Sequence, residues 1–141
     1  MIEARGEVRI EAPPEAVFDY LADARNEPHW LPGAKRVMKA TDGPVDLRTR
    51  FEGEYARAGR VALELVEFER PRRLTFRAKA RLVEFDDVVE LTPDGSGTRL
   101  TARMVAQPRG VMRLLSPMMA KTMRQQFAAN WTHLRDALEQ R

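Results

Sequence analysis

Along most of the chain, hydrophobic and polar residues alternate with a period of two, which predicts strands that bury one face. The predicted strands are Glu3–Glu11, Lys35–Thr41, Leu47–Arg57, Arg60–Glu69, Arg73–Ala80, Arg81–Thr92 and Thr98–Ala106. The phase of one strand changes at Val66 and Phe68, which indicates either a bulge or a bent strand that is partly buried on both faces. Short turns rich in glycine, proline and aspartate separate most neighbouring strands, so we expect an antiparallel sheet with one face exposed to solvent.

A helical period replaces the alternation in two places near the N-terminus. Pro13 ends the first strand, and Pro14 suits the first turn of a helix that ends near Asp23. The segment from Asn26 to Gly33 predicts a short second helical turn, because Pro32 and Gly33 close it.

The C-terminal segment predicts one long helix. Ser116 is a favourable N-cap residue and Pro117 suits a first turn, so the helix is predicted to run from Ser116 to Arg141, after a separate short piece at Val111–Leu115. One apolar stripe follows the helical period at Met119, Met123, Phe127, Trp131, Leu134 and Leu138. The strands need such a helix to cover their apolar face.

The element order predicts the fold class. A strand, two short helices, six strands and a long helix indicate an α+β fold, in which a curved antiparallel sheet of about seven strands wraps around the C-terminal helix. The chain has 141 residues, 43% of them hydrophobic and 32% charged, as expected for a single globular domain over residues 1–141.

Composition excludes several classes of function. The chain has no cysteine, so disulfides, thiolate metal sites and a cysteine nucleophile are ruled out. The net charge is +3, but the basic residues are interleaved with acidic ones and no nucleic-acid motif is present, so a nucleic-acid partner is not expected. Weak attraction to an anionic membrane surface needs only diffuse positive charge and stays compatible with the sequence.

Targeting and membrane signals are not predicted. The segment from Met1 to Arg9 carries charges and no apolar core, which does not indicate a signal peptide. No apolar stretch is long enough for a transmembrane helix, so we expect a cytoplasmic protein. Monomer and homodimer both stay open.

One stretch carries a resemblance to a known family. The run from Ile10 to Asp23, followed by Trp30-Leu-Pro-Gly33, resembles the opening of the START-like (SRPBCC) superfamily, and the element order is similar over essentially the whole chain. That superfamily has the helix-grip fold and includes polyketide cyclases/dehydratases and lipid-transfer domains. The resemblance implies a cavity between sheet and C-terminal helix for a lipid, polyketide, sterol or quinone-like ligand. Many members have no catalytic activity, and we expect no cofactor.

Asp87 is the foremost candidate for chemistry. It occupies the inward phase between Phe85 and Val89, where an unpaired carboxylate is costly. It is a cavity acid, or it pairs with an inward arginine, or the register slips and it faces outward. Tyr55, on the inward face of its strand, offers a phenol to the same space. We take Asp87 and Tyr55 as the candidate acid–base residues.

Other side chains are expected to line the cavity. Gln126 and Asn130 either orient a polar ligand group or lie at the edge of the helix stripe. The methionines near the helix start either fill the core or form an adaptable wall. The full set of candidate ligand-binding residues is Trp30, Phe51, Phe76, Phe85, Met104, Met119, Met123, Gln126, Phe127 and Asn130.

His29 and His133 have no partners at metal-ligand spacing, so no metal site is predicted. His29 is a candidate for the pocket mouth, and His133 is expected on an exposed helix face.

Three functions follow from the sequence. The first is a carrier or binding module for a hydrophobic or amphipathic small molecule. The others are an enzyme resembling polyketide cyclases/dehydratases and a protein-interaction module.

Overall fold

A computed structural model describes all residues from Met1 to Arg141. Its elements are β1 (Ile2–Ile10), α1 (Pro14–Ala22), a 3₁₀ helix (Ala24–His29), β2 (Ala34–Lys39), β3 (Arg50–Tyr55), β4 (Gly59–Glu69), β5 (Arg73–Ala80), β6 (Val83–Asp94), β7 (Gly97–Pro108) and α2 (Met112–Glu139). The strands form a seven-stranded sheet in the order β1-β7-β6-β5-β4-β3-β2, and every pair is antiparallel. The predicted α+β helix-grip architecture is confirmed.

The alternation of the sequence sets which face of the sheet is inside. In β5, Leu74, Phe76 and Ala78 are buried, and Arg77 between them is exposed. The register of β4 against β5 shifts between Leu65 and Glu67, so the bulge expected at Val66 is confirmed.

Helix α2 lies along edge strand β1 and runs in the same direction. Near its middle, the Arg124 side chain donates to the Glu3 carbonyl at 2.9 Å; near its end, Glu139 accepts from the Glu11 backbone N–H at 2.9 Å. The C-terminal half of the helix buries Phe127, Trp131, Leu134 and Leu138. Neither α1 nor α2 has an apolar stretch that could cross a bilayer.

The predicted start of the C-terminal helix is wrong. The helix begins at Met112 and continues through Pro117, so the two expected pieces are one helix of 28 residues, about 42 Å long. Proline has no N–H for the carbonyl of Arg113, four residues earlier. The Ser116 hydroxyl takes that place and donates to the Arg113 carbonyl at 3.1 Å. Ser116 therefore stabilises the helix interior and is not its N-cap.

The predicted start of β3 is also too early. The strand begins at Arg50, because Arg48 adopts a left-handed conformation with φ of 72° and ends the extended chain. The neighbouring backbone still pairs with β4: the Arg48 N–H donates to the Leu65 carbonyl, and the Leu65 N–H donates to the Thr49 carbonyl. Leu47, where the strand was predicted to begin, is exposed.

Trp131 of α2 depends on a glycine in β1. A Cβ atom at Gly6 would lie 2.4 Å from Cδ1 of Trp131, which is closer than side chains approach. On its other side, Trp131 stacks on Trp30, with ring centroids 5.8 Å apart. The lack of a side chain at Gly6 therefore lets the helix come close to the edge strand.

Gly6→Ala should lower the free energy of unfolding by about 1–3 kcal/mol, because the added methyl overpacks the indole site. Urea denaturation of Gly6→Ala, Trp131→Leu and the double variant would measure it. In the Trp131→Leu background the cost of Gly6→Ala should fall to less than about 1 kcal/mol, because the smaller side chain leaves room. An equal cost in both backgrounds would contradict this account.

Candidate functional site

One part of the inner face of the sheet, around Tyr55 and Phe85, is less covered than the rest. Its residues near the C-terminal half of α2 are buried, whereas Tyr55 and Phe85 are only partly buried. On α2, Met123 and Asn130 are partly exposed as well. The polar inner-face side chains Tyr55 and Asp87 lie in this less covered part, on β3 and β6.

Asp87 faces the interior. Its partners across the sheet, Phe76 on β5 and Met104 on β7, are both buried. Asp87 Oδ1 is buried without any hydrogen-bond partner, and no arginine pairs with the carboxyl group. Of the three arrangements considered from the sequence, the structure excludes the slipped register and the arginine pair.

Glu27 is the second buried acid. It lies in the 3₁₀ helix, and its Oε1 accepts a hydrogen bond from the Tyr55 hydroxyl. The residue as a whole is partly exposed, and its carboxyl group is largely desolvated. Gly53 makes room for the phenol, because a Cβ atom there would lie 2.6 Å from Cε2 of Tyr55. Glu27, Tyr55 and Asp87 are called the acid cluster below.

Burial changes the protonation of the acid cluster. Loss of solvation raises the pKa of Asp87 to about 8, with further contributions from the charges of Glu27 and Asp86. Burial also raises the pKa of Glu27 to about 7, and the hydrogen bond from Tyr55 opposes this shift. The pKa of Tyr55 is raised by burial and by both acids. The cluster therefore keeps a carboxyl proton at neutral pH and can donate or accept hydrogen bonds and protons.

Sequence reasoning did not identify Glu27. The segment Asn26-Glu-Pro-His29 has no apolar periodicity that would mark one of its side chains as inward. Its partner Tyr55 is 28 residues away in the chain. The available signal was the inward phase of Tyr55, whose hydroxyl needs a buried partner.

The other predicted site residues divide by burial. Trp30, Phe51, Phe76, Met104 and Phe127 are buried in the core, whereas Phe85, Met119, Met123 and Asn130 are partly buried. Gln126 is exposed and faces Arg57 in the turn between β3 and β4, with 2.7 Å between its amide oxygen and the guanidinium when the oxygen is oriented toward the donors. For Gln126, the location at the edge of the helix stripe is the one observed.

Two surface grooves lie away from the acid cluster. One has a volume of about 550 Å³ and lies at the start of α2, beside Glu84, Arg109 and Arg113. The other has about 410 Å³ and is lined in part by His29, which is exposed there and is not in the interior. His133 is exposed, as predicted. No three His, Asp or Glu side chains come together in a group that could hold a metal ion.

The sequence matches one family model over nearly its whole length. Residues 1–139 match the model of a family described as polyketide cyclase / dehydrase and lipid transport. The chain belongs to this family. The match includes the 3₁₀ helix and the strands that carry the acid cluster, and it supports a role in hydrophobic ligand binding or cyclisation. No curated protein sequence matches the chain.

Solved structures show the same fold at low identity. The protein TTHA0849 from Thermus thermophilus is 20% identical with a TM-score of 0.76, and the alignment covers 96% of each chain. A conserved protein from Geobacillus kaustophilus is 14% identical with a TM-score of 0.78, covering 99% of this chain and 96% of that one. The di-domain ARO/CYC BexL from the BE-7585A biosynthetic pathway is 16% identical with a TM-score of 0.71. That alignment covers 99% of this chain and 47% of BexL.

The buried acids should make stability fall as the pH rises. The unfolded chain releases the protons of Glu27 and Asp87 near their ordinary values of 4.5 and 3.8, while the folded chain keeps them up to about 7 and about 8. The stabilisation is complete below the unfolded values and is lost as pH rises through the folded values. Between about pH 5 and about pH 9 the free energy of unfolding should fall by a few kcal/mol.

Urea denaturation across this range measures the effect. Asp87→Asn should remove most of the dependence of the free energy of unfolding on pH. The variant should be more stable than the wild type at the alkaline end of the pH range. Asp86→Asn is the matched control, because its side chain lies on the other face of β6 and pairs with Arg77. A wild-type protein with equal stability at both ends of the range would contradict the placement of the acids.

Proposed function

We propose that the protein binds an amphipathic small molecule between the inner face of the sheet and α2, with the polar group of the ligand at the acid cluster. The observation that carries this proposal is the buried Oδ1 of Asp87, which has no hydrogen-bond partner in the protein. A buried polar atom without a partner costs about 1–3 kcal/mol, so a ligand group that pairs with it gains affinity and specificity.

The surroundings suit the apolar part of such a ligand. Phe76 and Met104 flank Asp87 on the neighbouring strands, and Phe85 precedes it by two residues on the same face. On α2, Met123 is partly exposed and packs against the core. Unbranched, polarisable methionine side chains adapt to ligands of irregular shape.

The protonation of the cluster indicates the polar group. Protonated Asp87 donates a hydrogen bond to a carbonyl oxygen, and its second oxygen accepts one from a hydroxyl group. A permanently charged carboxylate or phosphate is disfavoured there because Glu27 and Asp87 carry negative charge when they ionise. Ligands with ketone, quinone or phenol groups on an apolar body therefore fit best.

Ligand extraction tests the proposal first. Protein purified under native conditions should carry a stoichiometric apolar molecule with carbonyl or hydroxyl groups, which mass spectrometry of the intact protein and its solvent extract would detect. The neutral dye Nile red should bind to the emptied protein, and Met123→Ala should weaken this binding about threefold to tenfold.

Met38→Ala is the matched control, because Met38 is 70% exposed on β2 and should not change dye affinity. An emptied protein that takes up no Nile red, together with an empty extract, would rule out the interior site.

A second candidate function is that of a cyclase or dehydratase. It is favoured by Glu27 and Asp87, whose charges influence each other and whose pKa values near neutrality suit proton exchange at cellular pH. In an aldol cyclisation, ionised Glu27 would take a proton from a carbon between two carbonyl groups. The new carbon–carbon bond would form at a third carbonyl, whose oxygen would receive the proton of Asp87, and transfer of a proton from Glu27 to Asp87 would then restore both acids.

Turnover separates the two candidates. An enzyme should convert a soluble poly-β-carbonyl thioester into a cyclic aldol product of unchanged mass, or into a product lighter by one water molecule if elimination of the new hydroxyl group follows. Chromatography coupled to mass spectrometry would measure the conversion. Asp87→Asn should then lower the rate about a hundredfold or more, because the variant has no acidic proton to donate, while Nile red binding persists. A carrier should show no conversion in the wild type. Conversion that Asp87→Asn leaves unchanged would remove the cluster from the mechanism.

A further inference from the structure

A second surface of the protein carries exposed apolar side chains that nothing in the fold covers. Val111, Leu114, Leu115 and Met118 follow one another at helical spacing at the start of α2, and Leu114 and Met118 are 84% and 77% exposed. They form a stripe on the side of α2 opposite to the one that buries Phe127 and Trp131. Leu82, in the turn between β5 and β6, lies next to this stripe, because its carbonyl accepts the Arg109 backbone N–H at 2.7 Å. These five apolar residues are called the end patch.

Basic side chains lie beside the end patch. No aspartate or glutamate occurs between Gly95 and Arg135, a segment that includes the whole stripe. Arg81 and Lys121 flank the end patch and are exposed, and Arg113 lies at the helix start. Glu84, the acid nearby, pairs with Arg109 at 2.8 Å, whereas Arg81, Arg113 and Lys121 form no ion pair.

We propose that the end patch docks the protein on an anionic lipid bilayer, with the aliphatic side chains in the interfacial region and the basic side chains at the lipid phosphates. An amphipathic helix surface with basic flanks is the arrangement that binds in this way. The proposal is independent of the interior ligand, because the stripe is on the outer side of α2 and shares no side chain with the acid cluster.

The chemistry of the end patch favours a bilayer over a protein. A second copy of the chain at this surface would bring the same basic residues together, and like charges oppose that contact. The cores of protein interfaces are rich in tyrosine and tryptophan, whereas the end patch contains only leucine, valine and methionine. Flexible aliphatic side chains on a protruding helix end instead match a fluid surface.

Vesicle sedimentation tests the proposal. The wild-type protein should sediment with phosphatidylcholine vesicles that contain about 30% phosphatidylglycerol, and much less with phosphatidylcholine alone. Leu114→Ser combined with Met118→Ser should weaken binding about tenfold or more, because two apolar anchors are lost. Lys121→Gln should weaken vesicle binding several-fold. Added salt should reduce vesicle binding by the wild type and by both variants.

Met38→Ser is the control for exposed methionine, since Met38 lies on β2, and it should bind like the wild type. The changed residues are exposed, so far-ultraviolet circular dichroism and Nile red uptake should stay unchanged, which separates loss of docking from loss of folding or of the interior site. Absence of wild-type sedimentation would overturn the proposal, as would equal binding to neutral vesicles. A wild-type dimer that Leu114→Ser/Met118→Ser converts to a monomer would assign the end patch to self-association instead.

Discussion

Trp131 connects the two edges of the sheet through one side chain. Its ring lies against Gly6 of edge strand β1, and it stacks on Trp30, which follows the 3₁₀ helix packed beside β2 at the other edge. The sheet must curve for both contacts to form at once, and this curvature produces an interior that α2 covers. The indole Nε1 is buried without a partner, so apolar packing and stacking hold this contact. The position of the acid cluster depends on the same curvature, because Glu27 is in the 3₁₀ helix and Tyr55 is on β3.

The acid cluster is a local exception to the apolar core. Buried ionisable groups cost stability, and a phenylalanine or leucine at Asp87 would pack against Phe76 and Met104 without that cost. Proteins hold such groups where binding or proton transfer uses them. Tyr55 satisfies one acid and leaves the other without a partner, so the cluster is asymmetric. A ligand polar group is therefore expected on the side of Asp87, with Glu27 and Tyr55 as its supporting pair.

Local patterns in the sequence predicted most of the fold. Period-two alternation located all seven strands and the inward direction of Asp87, because that direction depends only on the phase of one strand. Glu27 could not be predicted in this way, since its orientation depends on a contact with a residue far along the chain. The helix start was misplaced because Ser-Pro usually begins a helix, whereas here the Ser116 hydroxyl compensates for the proline within one. The location of Gln126 was ambiguous, because the helical period does not show how far the β3–β4 hairpin extends toward α2. In the structure, Arg57 of that hairpin lies beside Gln126.

The pairing of β1 has a consequence for the order in which the chain can fold during synthesis. Its neighbours are β7, through pairs from Ile2–Ala106 to Ile10–Thr98, and α2, and both are made after every other strand. The meander from β2 to β6 can pair strand by strand as it leaves the ribosome, but β1 has no strand partner until β7 has been made. Pairing of β1 is thus a long-range event that follows the meander, and a chain that lacked β7 and α2 would leave both β1 and the apolar inner face uncovered.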